Sequence, residues 1–160
     1  HAEQVSCDLE SLENLRETIG KPLVAVGTTS VRLLESLYWH GVKVIHKDAD
    51  PVNLQVHQWD PYDELSSLKI SKEEALEAII SGLQKAGKNR LSGYTSLLIA
   101  PGYDFRFPDI LITNFHQPKS TLLLLISAFI GEKWREAYNY AMKHDFRFLS
   151  YGDSCLFFKS

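Results

Sequence analysis

The sequence predicts an α/β fold, in which a mixed sheet is flanked by helices in layers. Short apolar runs alternate with amphipathic segments along the 160 residues, as expected when strands and helices follow one another. Glycine and proline separate these segments. The composition, 44% hydrophobic and 23% charged, is that of a globular protein, and the chain is long enough to bury one core.

The N-terminal third is predicted to be helix, strand and helix. Residues 8–19 have leucines at helical spacing, with Ser6 or Asp8 as the cap, and Gly20 and Pro22 end the helix. Residues 23–26 form a short buried strand. A turn at residues 27–30 then leads into a helix over residues 31–39.

Strands are expected next at residues 42–45 and 54–59, with loops at 48–53 and 60–67. Ser71 and Glu74 have the spacing of a capping box, which opens a helix ending near Ala86. Residues 88–93 are predicted to be a polar linker.

The C-terminal part contains four more predicted strands and two helices. The strands are expected at residues 95–100, 109–113, 146–151 and 155–158. The helices are expected from residue 120 or 121 to about 130, and over 133–144.

Charge and cysteine content indicate the kind of partner and the cellular compartment to expect. The net charge of −3 divides into −6 over residues 1–87 and +3 over residues 88–160. The basic half suits an anionic partner such as RNA, or is ordinary surface scatter. Cys7 and Cys155 are too far apart for a CxxC motif and favour a reducing cytoplasm. No membrane span or signal peptide is expected, and the initial histidine suggests a processed product or a fragment.

Two segments share one pattern: a buried strand, a turn rich in hydroxyl groups, and a helix N-terminus. These are residues 24–36 and 112–125. A helix N-terminus offers free N–H groups and partial positive charge to carboxylates, phosphates and ribose oxygens. The candidate ligand-binding residues are Gly27, Thr28, Thr29 and Ser30 in the first segment, and Asn114, Lys119, Ser120 and Thr121 in the second. The simpler alternative is that the hydroxyl groups only cap their helices.

His116 is the best-placed titratable side chain, since an imidazole in such a turn can exchange a proton near neutral pH. Its alternative is a histidine bonded to a backbone carbonyl. Asp153 is a second candidate, with a tight turn as its simpler explanation. Arg32, on the first of the two helices, either pairs with Glu35 or faces the site.

Nucleotide-binding loops and zinc sites are not supported by the sequence. A P-loop needs glycine where Pro118 and Thr113 stand, and Gly27 lacks the partners of a dinucleotide fingerprint. The six histidines and two cysteines lack metal-ligand spacing, so no metal is expected.

Several motifs together resemble the bacterial S-adenosylmethionine:tRNA ribosyltransferase-isomerase family of queuosine biosynthesis. The similar stretches are VAVGTTSVRLLES at 24–36, IAPGYDFRFPDILITNFHQPKSTLLLLISAF at 99–129, and AYNYAMKHDFRFLSYGDSCLF at 137–157. Gln117 and the Ser154-Cys155 pair depart from the family pattern, whereas TNFH, PKST and SYGD are intact.

The resemblance implies a reaction. The family transfers and isomerises the ribosyl group of S-adenosylmethionine onto 7-aminomethyl-7-deazaguanine at the tRNA wobble position, which gives epoxyqueuosine and releases adenine and methionine. It implies that Gly27–Ser30 and Asn114 bind the co-substrate, that His116 carries a proton, and that Asp153 contacts the substrate amine. It assigns Lys119, Ser120, Thr121 and Arg32 to substrate or RNA binding.

The resemblance also implies that residues 1–160 are the C-terminal portion of the core domain of a larger two-domain fold, with residues 41–90 as an insertion. The N-terminal half of the protein is then missing, and little turnover is expected from this chain alone. Two alternatives remain: a non-catalytic RNA- or nucleotide-binding α/β module, and a generic α/β domain.

Overall fold

A computed structural model describes all 160 residues and divides the chain into two compact units. The first unit contains residues 1–21 and 32–97, and the second contains residues 22–31 and 98–160. Each unit holds one mixed three-stranded sheet and helices, so the predicted α/β class is confirmed.

The elements follow the chain in a mixed order of strands and helices. The strands are β1 (Glu3–Asp8), β2 (Val24–Val26), β3 (Asn53–Val56), β4 (Arg90–Thr95), β5 (Ile110–Asn114) and β6 (Ser154–Phe158). The helices are α1 (Leu9–Glu17), α2 (Thr28–Lys47), α3 (Lys72–Lys85), α4 (Thr121–Ile130) and α5 (Lys133–Lys143). Two short 3₁₀ turns lie at Asp60–Tyr62 and Glu64–Ser67.

The sheet of the first unit has the order β1-β4-β3, with β1 antiparallel and β3 parallel to the central strand β4. Along β4, Leu91, Gly93 and Thr95 are buried, whereas the residues between them are exposed. This alternation is expected for a sheet with one face on a core and the other in water.

The helices of the first unit pack closely around its core. α1 lies against α3. Gly41 of α2 meets the backbone of Ala75 in α3, where a β-carbon would clash with the Ala75 carbonyl oxygen. The Ser36 and Thr95 hydroxyl groups, both buried, are 2.7 Å apart and join α2 to β4. The core is therefore closed by direct helix–helix and helix–sheet contact.

The sheet of the second unit has the order β2-β5-β6, with β2 parallel and β6 antiparallel to β5. One face of this sheet is buried through Ala25, Leu111 and Phe157. α4 packs against β6, and the Ser160 amide donates to the Phe129 carbonyl at 3.0 Å. The second unit thus has a core on one side of its sheet.

The predicted strand at residues 42–45 is wrong, because these residues continue α2 as far as Lys47. Val42 and Ile45 have high strand propensity, but Val42 is fully buried within the helix. Gly41, which lies between the predicted helix and the predicted strand, is the small residue that permits the close contact with α3. The predicted turn at residues 27–30 is likewise shorter, since α2 begins at Thr28.

Three other differences concern strands. β4 occupies Arg90–Thr95, where a linker was expected, and residues 96–100 lie outside it. β1 has no counterpart in the sequence prediction, because its mixed polar sequence is specified by pairing with β4 rather than by its own apolar pattern. Residues 146–148 have no regular structure and residues 149–151 form a bend and a turn, so no strand is present there.

Two helix starts predicted from local sequence are present in the structure. Asp8 caps α1 by accepting from the Ser11 amide, and Ser71 and Glu74 form the predicted capping box of α3. No helix has the length and apolarity that a membrane span requires. Cys7 and Cys155 are both free thiols, and no cluster of three metal-ligating side chains is present.

Candidate functional site

The parallel pairing of β2 with β5 brings the two hydroxyl-rich turns to one edge of the second unit's sheet. Val26 is in register with Ile112, and the Gly27 amide donates to the Ile112 carbonyl at 2.8 Å. Because parallel strands end at the same edge, the segments that follow them start side by side. This edge is where ligands bind in open α/β sheets.

A third segment reaches the same edge from the opposite direction. β6 is antiparallel to β5, so its first residue, Ser154, pairs with Asn114 at the end of β5. The Asn114 side-chain amide donates to the Gly152 carbonyl at 3.2 Å. Asn114 and Asp153 therefore lie at the edge from which the two turns emerge, and we call this place the site edge.

At the first turn, Gly27 has a φ of 88°, a left-handed conformation that favours glycine. Nothing lies within 4 Å of where its β-carbon would be, so the requirement is conformational rather than steric. Thr28 is buried and Thr29 is exposed. The Ser30 hydroxyl donates to the Val26 carbonyl at 2.7 Å, so this hydroxyl group is already used to close the first turn of α2.

His116 is held from two sides. Its Nε2 lies 3.1 Å from the Thr113 hydroxyl, and its backbone amide donates to the Tyr138 hydroxyl at 3.0 Å. Partial burial lowers the pKa of the imidazole below its ordinary value. This shift favours the neutral ring, which is the form that accepts a proton.

An aromatic cluster fixes the chain next to His116. The Phe115 ring contacts the rings of Tyr138, Phe146 and Phe148 with centroid separations of 5.1, 5.7 and 5.3 Å. The Leu149 amide donates to the Phe115 carbonyl at 2.9 Å. Residues 146–151, predicted as a strand, are thus irregular because Phe146 and Phe148 pack on Phe115 rather than extend a sheet.

Tyr138 contacts the candidate site, although sequence reasoning did not assign it there. Its helix face was visible from the spacing of apolar residues on α5. Its hydrogen bond to the His116 amide depends on a contact between residues 22 positions apart. Burial raises the pKa of its hydroxyl, so it remains protonated at neutral pH.

The second turn leads into α4 through Lys119, which is exposed and has a φ of 62°. Ser120 is the N-cap of α4: its hydroxyl oxygen accepts from the Leu123 amide at 3.3 Å and its hydroxyl donates to the Gln117 carbonyl at 2.8 Å. Thr121 is the first residue of the helix and is exposed. The capping interpretation is confirmed for Ser120, and its role toward a substrate stays a prediction.

A groove of about 270 Å³ runs beside this helix start. Its lining combines the polar helix start with apolar side chains of α4 and α5: Lys119, Ser120, Thr121, Leu123, Leu124, Ser127 and Trp134. Trp134 was not among the predicted site residues, because its place on the α5 face is also typical of a core aromatic residue. The groove offers a planar apolar wall next to a cation.

Asp153 closes its own loop. One carboxylate oxygen accepts from the Arg147 amide at 2.7 Å, and the other lies 3.5 Å from the Arg147 guanidinium. The hydrogen bond from the Arg147 amide and, to a smaller extent, the Arg147 guanidinium lower the pKa of this carboxyl group. The turn explanation of Asp153 therefore accounts for its geometry, and contact with a substrate amine stays a prediction.

Arg32 belongs to the first unit. Its guanidinium lies 2.6 Å from the Glu3 carboxylate, and only 16% of its side chain is exposed. An arginine paired in this way is held by an ion pair within its unit. Its assignment to RNA or substrate binding stays a prediction.

A family model and individual relatives match this chain to the same family. The family described as Queuosine biosynthesis protein matches residues 1–157. The S-adenosylmethionine:tRNA ribosyltransferase-isomerase of Bradyrhizobium diazoefficiens is 36% identical over 100% of this chain and 32% of its own length. The protein of the same name from Gluconobacter oxydans is 38% identical over 98% of this chain and 33% of its own.

A solved structure from the same family of enzymes also matches this chain. The crystal structure of the S-adenosylmethionine tRNA ribosyltransferase from Thermotoga maritima superposes with a TM-score of 0.60 and 32% identity, over 96% of this chain and 40% of that chain. The chain thus spans about a third of the length of the curated relatives it matches. It belongs to the queuosine biosynthesis family.

Proposed function

We propose that this chain forms part of an S-adenosylmethionine-dependent, tRNA-modifying site that acts in queuosine biosynthesis. The observation that carries the proposal is the meeting of Gly27–Ser30, Asn114–Thr121 and Asp153 at one site edge. These segments lie within the stretches that resemble the family. Their convergence supports a common site for residues that are distant in the sequence.

The site edge has the chemistry to bind the co-substrate. The start of α2 supplies N–H groups beside the hydroxyl groups of Thr28 and Thr29, which suit ribose oxygens. Lys119, exposed at the start of α4, provides a cation for a carboxylate. The groove next to Lys119 ends in Trp134, an aromatic wall on which a nucleobase can stack.

His116 is the proposed proton carrier. The sulfonium group of S-adenosylmethionine acidifies the neighbouring C5′ protons, so the reaction needs a base. Burial lowers the pKa of the imidazole and so favours its neutral form, while Thr113 contacts the ring and Tyr138 bonds the His116 backbone amide. Asp153, whose pKa is also lowered, is ionised and suited to the amine of the modified base.

The complete reaction transfers and isomerises the ribosyl group onto 7-aminomethyl-7-deazaguanine at the tRNA wobble position, with loss of adenine and methionine. We propose that the rest of the family's polypeptide, its N-terminal half included, completes the site, and that the enzyme works in the cytoplasm on tRNA. The 160 residues alone are then expected to show little turnover.

The test is adenine release from S-adenosylmethionine, measured with a tRNA that carries 7-aminomethyl-7-deazaguanine. The longer polypeptide is a chimera of this chain and the part of the Gluconobacter oxydans relative that lies outside the matched region, joined in the order in which they occur in that relative. It is expected to release adenine. His116→Ala is expected to lower the rate by about 100-fold or more. His144→Ala, which changes an exposed histidine stacked on Tyr140, serves as the control. Unchanged turnover in His116→Ala would contradict the assignment.

A non-catalytic nucleotide- or RNA-binding module is the second candidate. It is favoured by Asp153, a candidate catalytic group whose carboxylate is already bonded to Arg147 within the chain. Calorimetry distinguishes both candidates from a generic α/β domain, because either candidate is expected to give a binding heat with S-adenosylmethionine. Binding of S-adenosylmethionine without adenine release by the longer polypeptide would favour the module.

A further inference from the structure

The outward face of the second unit's sheet is apolar and uncovered. The strand register aligns its side chains in two rows, Val24–Ile110–Phe158 and Val26–Ile112–Leu156. The four side chains on the outer strands are 46–65% exposed, and the two isoleucines of β5 are partly exposed. Six apolar side chains therefore form a continuous patch, which we call the open face.

The opposite face of the same strands is buried, with Ala25, Leu111 and Phe157 at most 8% exposed. Strands that are apolar on both sides are typical of parallel sheets covered by helices on both faces. A contiguous exposed apolar patch is often functional even when it is no larger than the patches usual on a monomer. The open face thus has the sequence of a surface that is buried in the assembled protein.

We propose that the open face is the docking surface for a helical layer from the part of the family's polypeptide that this chain does not span. The matched region covers only 32–33% of two curated relatives and 40% of the solved structure, so ample chain lies outside it. The two rows contain no charged side chain, which argues against a phosphate backbone as the occupant. The inference depends on family membership and not on the proposed chemistry.

The size of the open face favours a segment of the same polypeptide over a second copy of this chain. With strands about 4.8 Å apart and a rise of about 3.3 Å per residue, two rows on three strands have a flat footprint of roughly 200 Å². The six partly exposed side chains on this footprint supply less accessible surface than the about 800 Å² that each partner contributes to a stable dimer. A covalently linked segment needs less area, because linkage supplies a high effective concentration.

The position of the open face gives the docked layer a functional consequence. The next row toward the site edge is polar, formed by Asn114 and Ser154. A helix lying across the two apolar rows would end beside this polar row. The absent polypeptide would therefore border the site edge.

The experiment compares thiol labelling in this chain alone and in the longer polypeptide described above. Val26→Cys and Leu156→Cys are made singly in a Cys7→Ser, Cys155→Ser background, with Tyr94→Cys on the exposed polar face of the other sheet as the control. We expect maleimide labelling at 26 and 156 to slow at least ten-fold in the longer polypeptide, and labelling at 94 to change less than two-fold.

Equal labelling rates in the two polypeptides would overturn the proposal, as would equal slowing at all three positions. Slow labelling in the 160-residue chain, together with a dimer in sedimentation, would assign the face to a second copy instead. As a second measurement, Val26→Asp combined with Leu156→Asp is expected to lower the melting temperature of the longer polypeptide and not that of the isolated chain. Neither result depends on S-adenosylmethionine, so failure of the proposed function is read separately.

Discussion

The two sheets have the same number of strands and the same mixture of parallel and antiparallel pairing, but their outward faces differ. In the first unit the outward face is polar, as shown by Gln55, Ser92 and the exposed Tyr94. In the second unit the outward face holds apolar side chains such as Val26 and Leu156. Strand alternation therefore distinguishes a face made for water from a face made for another polypeptide layer.

The largest expected effect separates the two faces of the second sheet. Leu111→Ala removes a fully buried side chain at the centre of the sheet and is expected to destabilise the chain by about 3 kcal/mol. Val26→Ala, on the open face, is expected to change the free energy of unfolding by less than about 0.5 kcal/mol. Denaturant unfolding of both variants measures the difference. Similar losses would mean that the open face is covered within this chain.

Acid is expected to destabilise the first unit, because its closed core contains a buried histidine. Burial, with a smaller contribution from Lys43, lowers the pKa of His40 to about 4, against the weaker opposing effects of Pro51 and Asp50. The unfolded chain has its ordinary histidine pKa of about 6.5 and takes up a proton first. Stability therefore falls as the pH drops from about 6.5 to about 4, by up to about 3 kcal/mol.

The measurement for His40 is the free energy of unfolding at pH 7 and at pH 4.5. His40→Leu is expected to remove much of the decline, whereas His46→Gln, at an exposed position on the same helix, leaves it in place. Hydrogen exchange should show β4 losing protection before β5. An identical pH dependence in wild type and His40→Leu would contradict the assignment to His40.

Helix caps provide the smallest effect and a direct match between the units. Ser71 caps α3 and Ser120 caps α4, each through a hydroxyl that accepts a backbone amide. Either serine changed to alanine is expected to cost about 1 kcal/mol. Thermal unfolding of the two variants tests the equivalence. A loss at Ser71 with none at Ser120 would show that the Ser120 hydroxyl is not needed as a cap.

The features predictable from sequence were those encoded within a few residues. The Ser71–Glu74 capping box and the strand–turn–helix around Ser120 are local, and both are present in the structure. β1 and the extension of α2 through Val42 were missed because they depend on partners far along the chain. No short-range pattern indicates that Gly41 contacts Ala75.

The site shows the same division. Its two turns were recognisable, but their proximity depends on the pairing of β2 with β5, which are 86 positions apart at Val24 and Ile110. The Tyr138 contact with His116 is equally non-local. Sequence therefore identified the candidate site residues, and the structure identified the contacts that hold them in place.

Hydrogen exchange on addition of S-adenosylmethionine tests the central claim most directly, because it reports on both turns in one experiment. We predict that the amides of residues 27–30, 116–117 and 119–121 gain protection together in the longer polypeptide, while those of β1 and β4 are unchanged. Protection of one turn without the other, or of neither, would contradict a single S-adenosylmethionine site at the edge where β2 and β5 end.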